Sequence, residues 1–286
     1  MNKVYACIDG LGTTPAVIDW AAWSALRLAA PLELLHVLER NLQAMPAADL
    51  SGAIGLGAQE ALLAQLSELD AQRGKLALEA ARQTLANACT YATAAGGQRP
   101  EGAIRHGELA EAVLDLEPDA RLFVLGEHYH TSKPSKIHLD HHVERVVRAV
   151  KRPVLVVTTA EPFVAPERFV LAYDGSATAR RAVQLVAGSP LLKGLPALLA
   201  MAGADTPAAR RQLQEALQTL HEAGFDADTA LLPGEPERLL PALLKAQGNA
   251  LLVMGAYGHS RIRQLIVGST TTTLLRLSEV PVLILR

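Results

Sequence analysis

Val4-Tyr5-Ala6-Cys7-Ile8-Asp9-Gly10 and Phe169-Val170-Leu171-Ala172-Tyr173-Asp174-Gly175 are two versions of one pattern, a short apolar run closed by Asp-Gly. Each is followed by an Ala-rich stretch of helical character, 15–29 and 177–187, and then by a second apolar run of strand length, 32–38 and 196–201. Later, 121–125 and 250–254 run into Gly126 and Gly255, and each half closes on a matching run, 153–157 and 281–285. Self-similarity of this kind makes the chain a tandem repeat. Strand-length runs alternating with helical patterns predict βαβ units, hence an α/β fold with a parallel sheet and helices on both faces. The predicted domains are residues 1–158 and 167–286. They are joined by a linker, 159–166, whose Pro162 and Pro166 favour an extended path.

The first half is the longer. Its surplus is a Pro-, Gly- and Ala-rich stretch, 39–57, and a helical stretch from about 58 to 94. Leu62, Leu63, Leu66, Leu69, Leu76 and Leu85 recur there at helical spacing, and Gly74 is read as a break. In the second half, helical stretches 207–223 and 236–247 stop at Gly224 and Gly248, as glycine after a helix commonly does.

Composition narrows the function. Half of the residues are hydrophobic but only 4% are aromatic, so Ala, Leu and Val must build the core. A net charge of −2 and a pI near 6.5 argue against a nucleic-acid or anionic-membrane partner. Two distant cysteines, Cys7 and Cys89, read as reduced thiols. Met1-Asn2-Lys3 leads straight into the first strand, and no apolar run approaches the ~20 residues that span a bilayer. A cytoplasmic location is the expectation.

The chemistry concentrates in Val253-Met254-Gly255-Ala256-Tyr257-Gly258, followed nine residues later by Gly268-Ser269-Thr270. A buried strand ends at Gly255, a loop turns at Gly258 and a new helix starts around Ser269. Glycines at such places let backbone approach a bulky anion, and a helix N-terminus offers it free N–H groups. In open α/β sheets, ligands bind at the carboxyl ends of strands, where this loop lies. From spacing alone, turns and a helix start with no ligand remain an equal alternative.

Asp174-Gly175-Ser176 after the opening strand, and G-x2-G-x9-G-[ST] before the last helix, resemble the universal stress protein family and its ATP-binding branch. The resemblance covers essentially the whole chain as two copies. It implies a five-stranded parallel sheet with helices on both faces in each domain, and regulation under stress rather than a metabolic reaction. It also implies an ATP site, with or without Mg, in which Gly255, Gly258, Gly268 and Ser269 hold ribose and phosphates and Thr270 extends the phosphate contact. Asp174 would face the nucleoside, and the backbone near Met201 would touch adenine. Arg261 and Arg263 either neutralise phosphate or sit on a solvated loop face. The resemblance further implies that strands 153–157 and 281–285 pair within one chain as a pseudo-dimer, and two such chains can associate further.

The first half departs from the pattern. Tyr129 stands where the second glycine belongs. Counting back from Pro153 as Gly268 counts back from Pro281 puts Asp140 at the last-glycine position and His141 at the serine position. A carboxylate there satisfies the helix dipole and repels phosphate. The expectation is that the first half does not hold ATP in the family's way. His128, His130, His138, His141 and His142, five of the nine histidines, share this loop, but their spacing matches no closed metal motif. No nucleophile elbow, HExxH or Walker A lysine is present, so no catalytic residue is assigned. Two alternatives to a nucleotide-sensing module stay open: a slow ATPase of the adenine nucleotide α-hydrolase type, and an interaction protein with empty pockets.

Overall fold

A computed structural model of the chain describes residues 2–39, 56–94, 99–127, 141–255 and 269–286. The first half runs β1 (Lys3–Ile8), α1 (Thr14–Leu28), β2 (Leu32–Leu38), α2 (Leu56–Ala94) and β3 (Glu101–His106), then α3 (Leu109–Leu116), β4 (Ala120–Gly126), α4 (His141–Ala149) and β5 (Val154–Val157). The second repeats it: β6 (Arg168–Ala172), α5 (Ala177–Gly188), β7 (Ala197–Ala202), α6 (Pro207–Glu222) and β8 (Ala227–Leu232), then α7 (Pro236–Gln247), β9 (Ala250–Gly255), α8 (Ser269–Leu277) and β10 (Val282–Leu285). The ten strands form one sheet in the order β3-β2-β1-β4-β5-β10-β9-β6-β7-β8. All neighbours are parallel except β5 and β10, which pair antiparallel, Leu155 opposite Leu283. Two five-stranded parallel halves are thus zipped edge to edge at the centre.

Both faces of the sheet are covered, which explains why its central strands read as unbroken apolar runs. Buried residues of α1, α2, α5 and α6 pack on one face, and those of α3, α4, α7 and α8 on the other. Local signals place the helices. Ser176 and Thr206 accept hydrogen bonds from the amides of Ala179 and Ala209, each at 3.1 Å, and Pro207 occupies the first turn of α6. The join between halves is reinforced by Arg286, whose guanidinium donates to the carbonyls of Arg148 and Val150 at 2.8 and 2.6 Å, at the C-terminal end of α4.

One reading of the sequence changes here. Gly74 does not interrupt α2, which continues through it; a Cβ at Gly74 would meet nothing within 4 Å, and the residue lies on an exposed stretch. The helical stretch read from the leucine spacing is a helix, whose Leu63, Leu66, Leu69 and Leu76 are exposed and whose C-terminal part, with Ala88, Cys89 and Ala92, enters the core.

The two cysteines are free and buried. Burial pushes the Cys7 thiol up to about 12 and raises that of Cys89 as well. The neutral thiol is the favoured native form, so the stability it carries is complete below the unfolded-state value and is lost as pH rises through the folded one. At pH 8 a disulfide-exchange reagent is expected to titrate almost no thiol in the native chain and both after denaturation. Rapid native reaction at either cysteine would contradict this burial.

Candidate functional site

In each half, successive connections leave the first strand in one direction and later return to its other side, so a crevice opens between β1 and β4 and again between β6 and β9. Asp174 follows β6 at the second crevice. Its Oδ1 accepts the Ser176 amide at 2.9 Å, forming a tight turn through Gly175. That glycine has φ +71, and a Cβ on it would collide with the Gln212 side chain. Across the crevice, the end of β9 presses on the start of α5: a Cβ on Gly255 would lie 2.6 Å from the Thr178 carbonyl oxygen. Met201, buried near the end of β7, completes this side, level with Tyr173 by the register that pairs Ala172 with Ala200.

Of the seven residues singled out in the sequence, the fold therefore brings Asp174, Met201 and Gly255 to the same end of three adjacent parallel strands. Ser269 and Thr270 open α8, whose first amides form the anion-accepting end of a helix. Gly258 and Gly268, with Arg261 and Arg263, lie outside the described residues. One residue escaped the sequence reading: Arg180, on α5, donates to the Gly175 carbonyl and fixes a cation beside the Asp174 turn. No motif announces it; only the first turn of α5 bringing it back over the Asp-Gly turn does.

The first-half crevice is built from the same backbone with different chemistry. Asp9 Oδ1 accepts from the Leu11 amide at 2.8 Å and from the Thr14 hydroxyl at 2.9 Å, so its carboxylate is tied into its own turn. The residue matching Thr14 in the second half is Ala179, which has no hydroxyl to bind Asp174 in that way. The register that pairs Ile8 with His36 puts His36 in the place of Met201. His36 is buried, its Nδ1 2.8 Å from the Ile8 carbonyl oxygen. At the start of α4, His142 Nδ1 lies 3.0 Å from Glu39 Oε1. Asp9, His36, Glu39, Gly126 and His142 line a cavity of about 240 Å³. His36 and Glu39 were missed in the sequence because only the strand register aligns them with the second-half site. Tyr129 and Asp140, with His128, His130 and His138, lie outside the described residues. Among the described residues, no group of three or more His, Cys, Asp or Glu is placed to hold a metal ion. Nor is any described helix long and apolar enough to cross a membrane.

A doubly wound parallel sheet with a crevice at its switch point, present twice in one chain and fused through a central antiparallel pair, defines a tandem α/β protein. The sequence model of the universal stress protein family matches residues 1–158 and 166–286, and the chain belongs to that family. It is 35% identical over 289 residues to the universal stress protein Slr1230 of Synechocystis sp., covering all of both chains. Among solved structures, a universal stress protein from Archaeoglobus fulgidus matches all of this chain and 98% of its own at 18% identity, with a TM-score of 0.75. Another from Pseudomonas aeruginosa covers all of this chain and 93% of its own at 16% identity, with a TM-score of 0.62. Those two likenesses show the fold.

Proposed function

We propose that the chain is a nucleotide-responsive regulatory protein that binds one ATP, in the second-half crevice, and serves in the stress response its family is named for. The observation that carries this reading is the contrast between two crevices built on one backbone plan. In the second, Asp174 is free of the hydroxyl that ties Asp9 in the first. Gly255 lets β9 close on the start of α5, and α8 begins with Ser269 directly after the G-x2-G-x9-G-[ST] glycines. Gly258, Gly268, Ser269 and Thr270 would present amides and hydroxyls to the phosphates, Asp174 would take the ribose, and the backbone at Met201 would meet the base. A Mg ion, where present, would be held by the phosphates. In the first crevice, Asp9 and Glu39 put carboxylates beside His36 and His142 where phosphate would have to lie, which favours exclusion of a polyanion.

Isothermal titration of the whole chain with Mg-ATP tests the reading. The expected stoichiometry is one nucleotide per chain, with a rise in thermal midpoint that grows with ligand concentration. Copying the first half into the second with Gly268→Asp should weaken binding by roughly tenfold or more, since a charge then faces the phosphates. Two equivalent sites per chain, or undiminished binding by Gly268→Asp, would defeat it.

A further inference from the structure

The near-twofold repeat creates two like clefts where the halves meet, on the face covered by α1, α2, α5 and α6. The chain fills one of them with its own linker. Phe163 sets its ring edge-on to Trp20, centroids 5.0 Å apart, and Trp23 packs on the same indole at 5.4 Å. The linker is held there by Asn249, whose side-chain amide donates to the Ala165 carbonyl at 2.7 Å and whose carbonyl accepts the Glu167 amide at 3.0 Å.

Matching the halves by strand register, Val4 with Phe169 and Leu32 with Ala197, puts Leu185 in the place of Trp20 and Gly188 in that of Trp23. These two residues border the second cleft, an opening of about 280 Å³ walled by Leu28, Leu191, Leu192 and Leu283, with Arg121 and Arg152 in its lining and no carboxylate among the lining residues. The chain crosses between its halves once, so only one cleft can receive a linker.

We propose that the second cleft is a docking site for an extended segment of a partner protein, one that presents an aromatic residue with an acidic residue beside it. Three observations support that occupant. The matching cleft already takes an aromatic ring from a linker segment, Phe163, two residues after the exposed Glu161. The aromatic rings that partly fill the first cleft are replaced by a leucine and a glycine in the second, leaving space for an incoming ring. Finally, the lining is apolar with a positive accent. Arg121 is exposed, and the Arg152 guanidinium donates its Nε and Nη2 to the carbonyls of Glu117 and Pro118, at 3.2 and 3.4 Å, rather than to a carboxylate, while the Glu117 carboxylate accepts the Arg152 amide. A buried aromatic anchor with a charged neighbour at the rim is the usual source of affinity and orientation for such peptides.

The test uses the full chain and a fluorescein-labelled peptide of residues 159–167, read by anisotropy. Saturable binding is expected. It should weaken about tenfold when the peptide carries Phe163→Ala, and comparably when the chain carries Arg121→Glu. Gly188→Trp, which restores the ring of the first cleft, should block it. That variant should fold, because a Cβ there meets nothing within 4 Å and the backbone is not in the left-handed region. Trp20→Ala should leave the affinity unchanged. No saturable binding by the wild-type chain, equal binding of a scrambled peptide, or indifference to both cleft variants would overturn the proposal. So would dependence on Trp20, which would mean that the peptide had displaced the chain's own linker. None of these readouts requires nucleotide, so the proposal stands or falls apart from the ATP site.

Discussion

Gly255→Ala is expected to destabilise the chain by roughly 3 kcal/mol, lowering its thermal midpoint by about 6–12 °C, although it adds a single methyl group. The added Cβ would lie 2.6 Å from the Thr178 carbonyl oxygen and 2.8 Å from its carbon, and the Ala179 amide nitrogen is 3.1 Å away. All three are backbone atoms at the first turn of α5, so relief requires moving the helix off the sheet. The matching first-half glycine makes the internal control. A Cβ on Gly126 would meet Thr13 Oγ1 at 2.6 Å and Val17 Cγ2 at 3.0 Å, both side-chain atoms. Gly126→Ala should therefore cost less, about 1 kcal/mol, and Thr13→Ala should recover most of that loss. Thr178→Ala should recover nothing in the second half, because its backbone stays. Chemical denaturation of the four single variants and two double variants reads this directly. Equal costs for the two glycine variants, or rescue by Thr178→Ala, would show that the close approach at Gly255 is not a backbone contact.

The repeat Val4–Gly10 and Phe169–Gly175 made the central strands legible because they are buried on both faces and carry almost nothing but apolar residues. The same signal fails at the rim. β3, Glu-Gly-Ala-Ile-Arg-His over Glu101–His106, and β8, Ala-Asp-Thr-Ala-Leu-Leu over Ala227–Leu232, are the two outer edges of the sheet, and of their residues only Ala227 is buried. An edge strand must mix polar residues into its pattern to discourage pairing with another chain, which removes the run that reveals a buried strand. Leu63, Leu66 and Leu69 revealed a helix but not its exposure, since helical spacing reports a possible face and not whether anything covers it. At the site, Asp174, Met201 and Gly255 were legible as strand ends. The contributions of His36, Glu39 and Arg180 arise from register and from a helical turn folding back, neither of which is a local property of sequence.

Leu283→Ala is expected to weaken both halves at once. Leu283 faces Leu155 across the only antiparallel pair of the described sheet, and the two are 2% and 1% exposed. Truncating a leucine so placed typically costs 2–5 kcal/mol through lost transfer energy and the cavity left behind. If the seam couples the halves, that loss is shared, because β5 is bonded to β4 on one side and to β10 on the other. Arg286 adds a second tie by binding carbonyls at the end of α4. Native-state hydrogen exchange then separates two architectures that share every contact within each half. In one cooperative sheet, the amides of β1 and β4 should exchange faster in step with those of β6 and β9, by about a hundredfold for a loss near 3 kcal/mol. In two domains merely laid side by side, β1 and β4 would keep their wild-type protection while β6 and β9 alone lost theirs. A shared acceleration would also supply a route by which occupation of the second crevice is felt in the first, since a ligand that binds only the folded second half stabilises whatever unfolds with it.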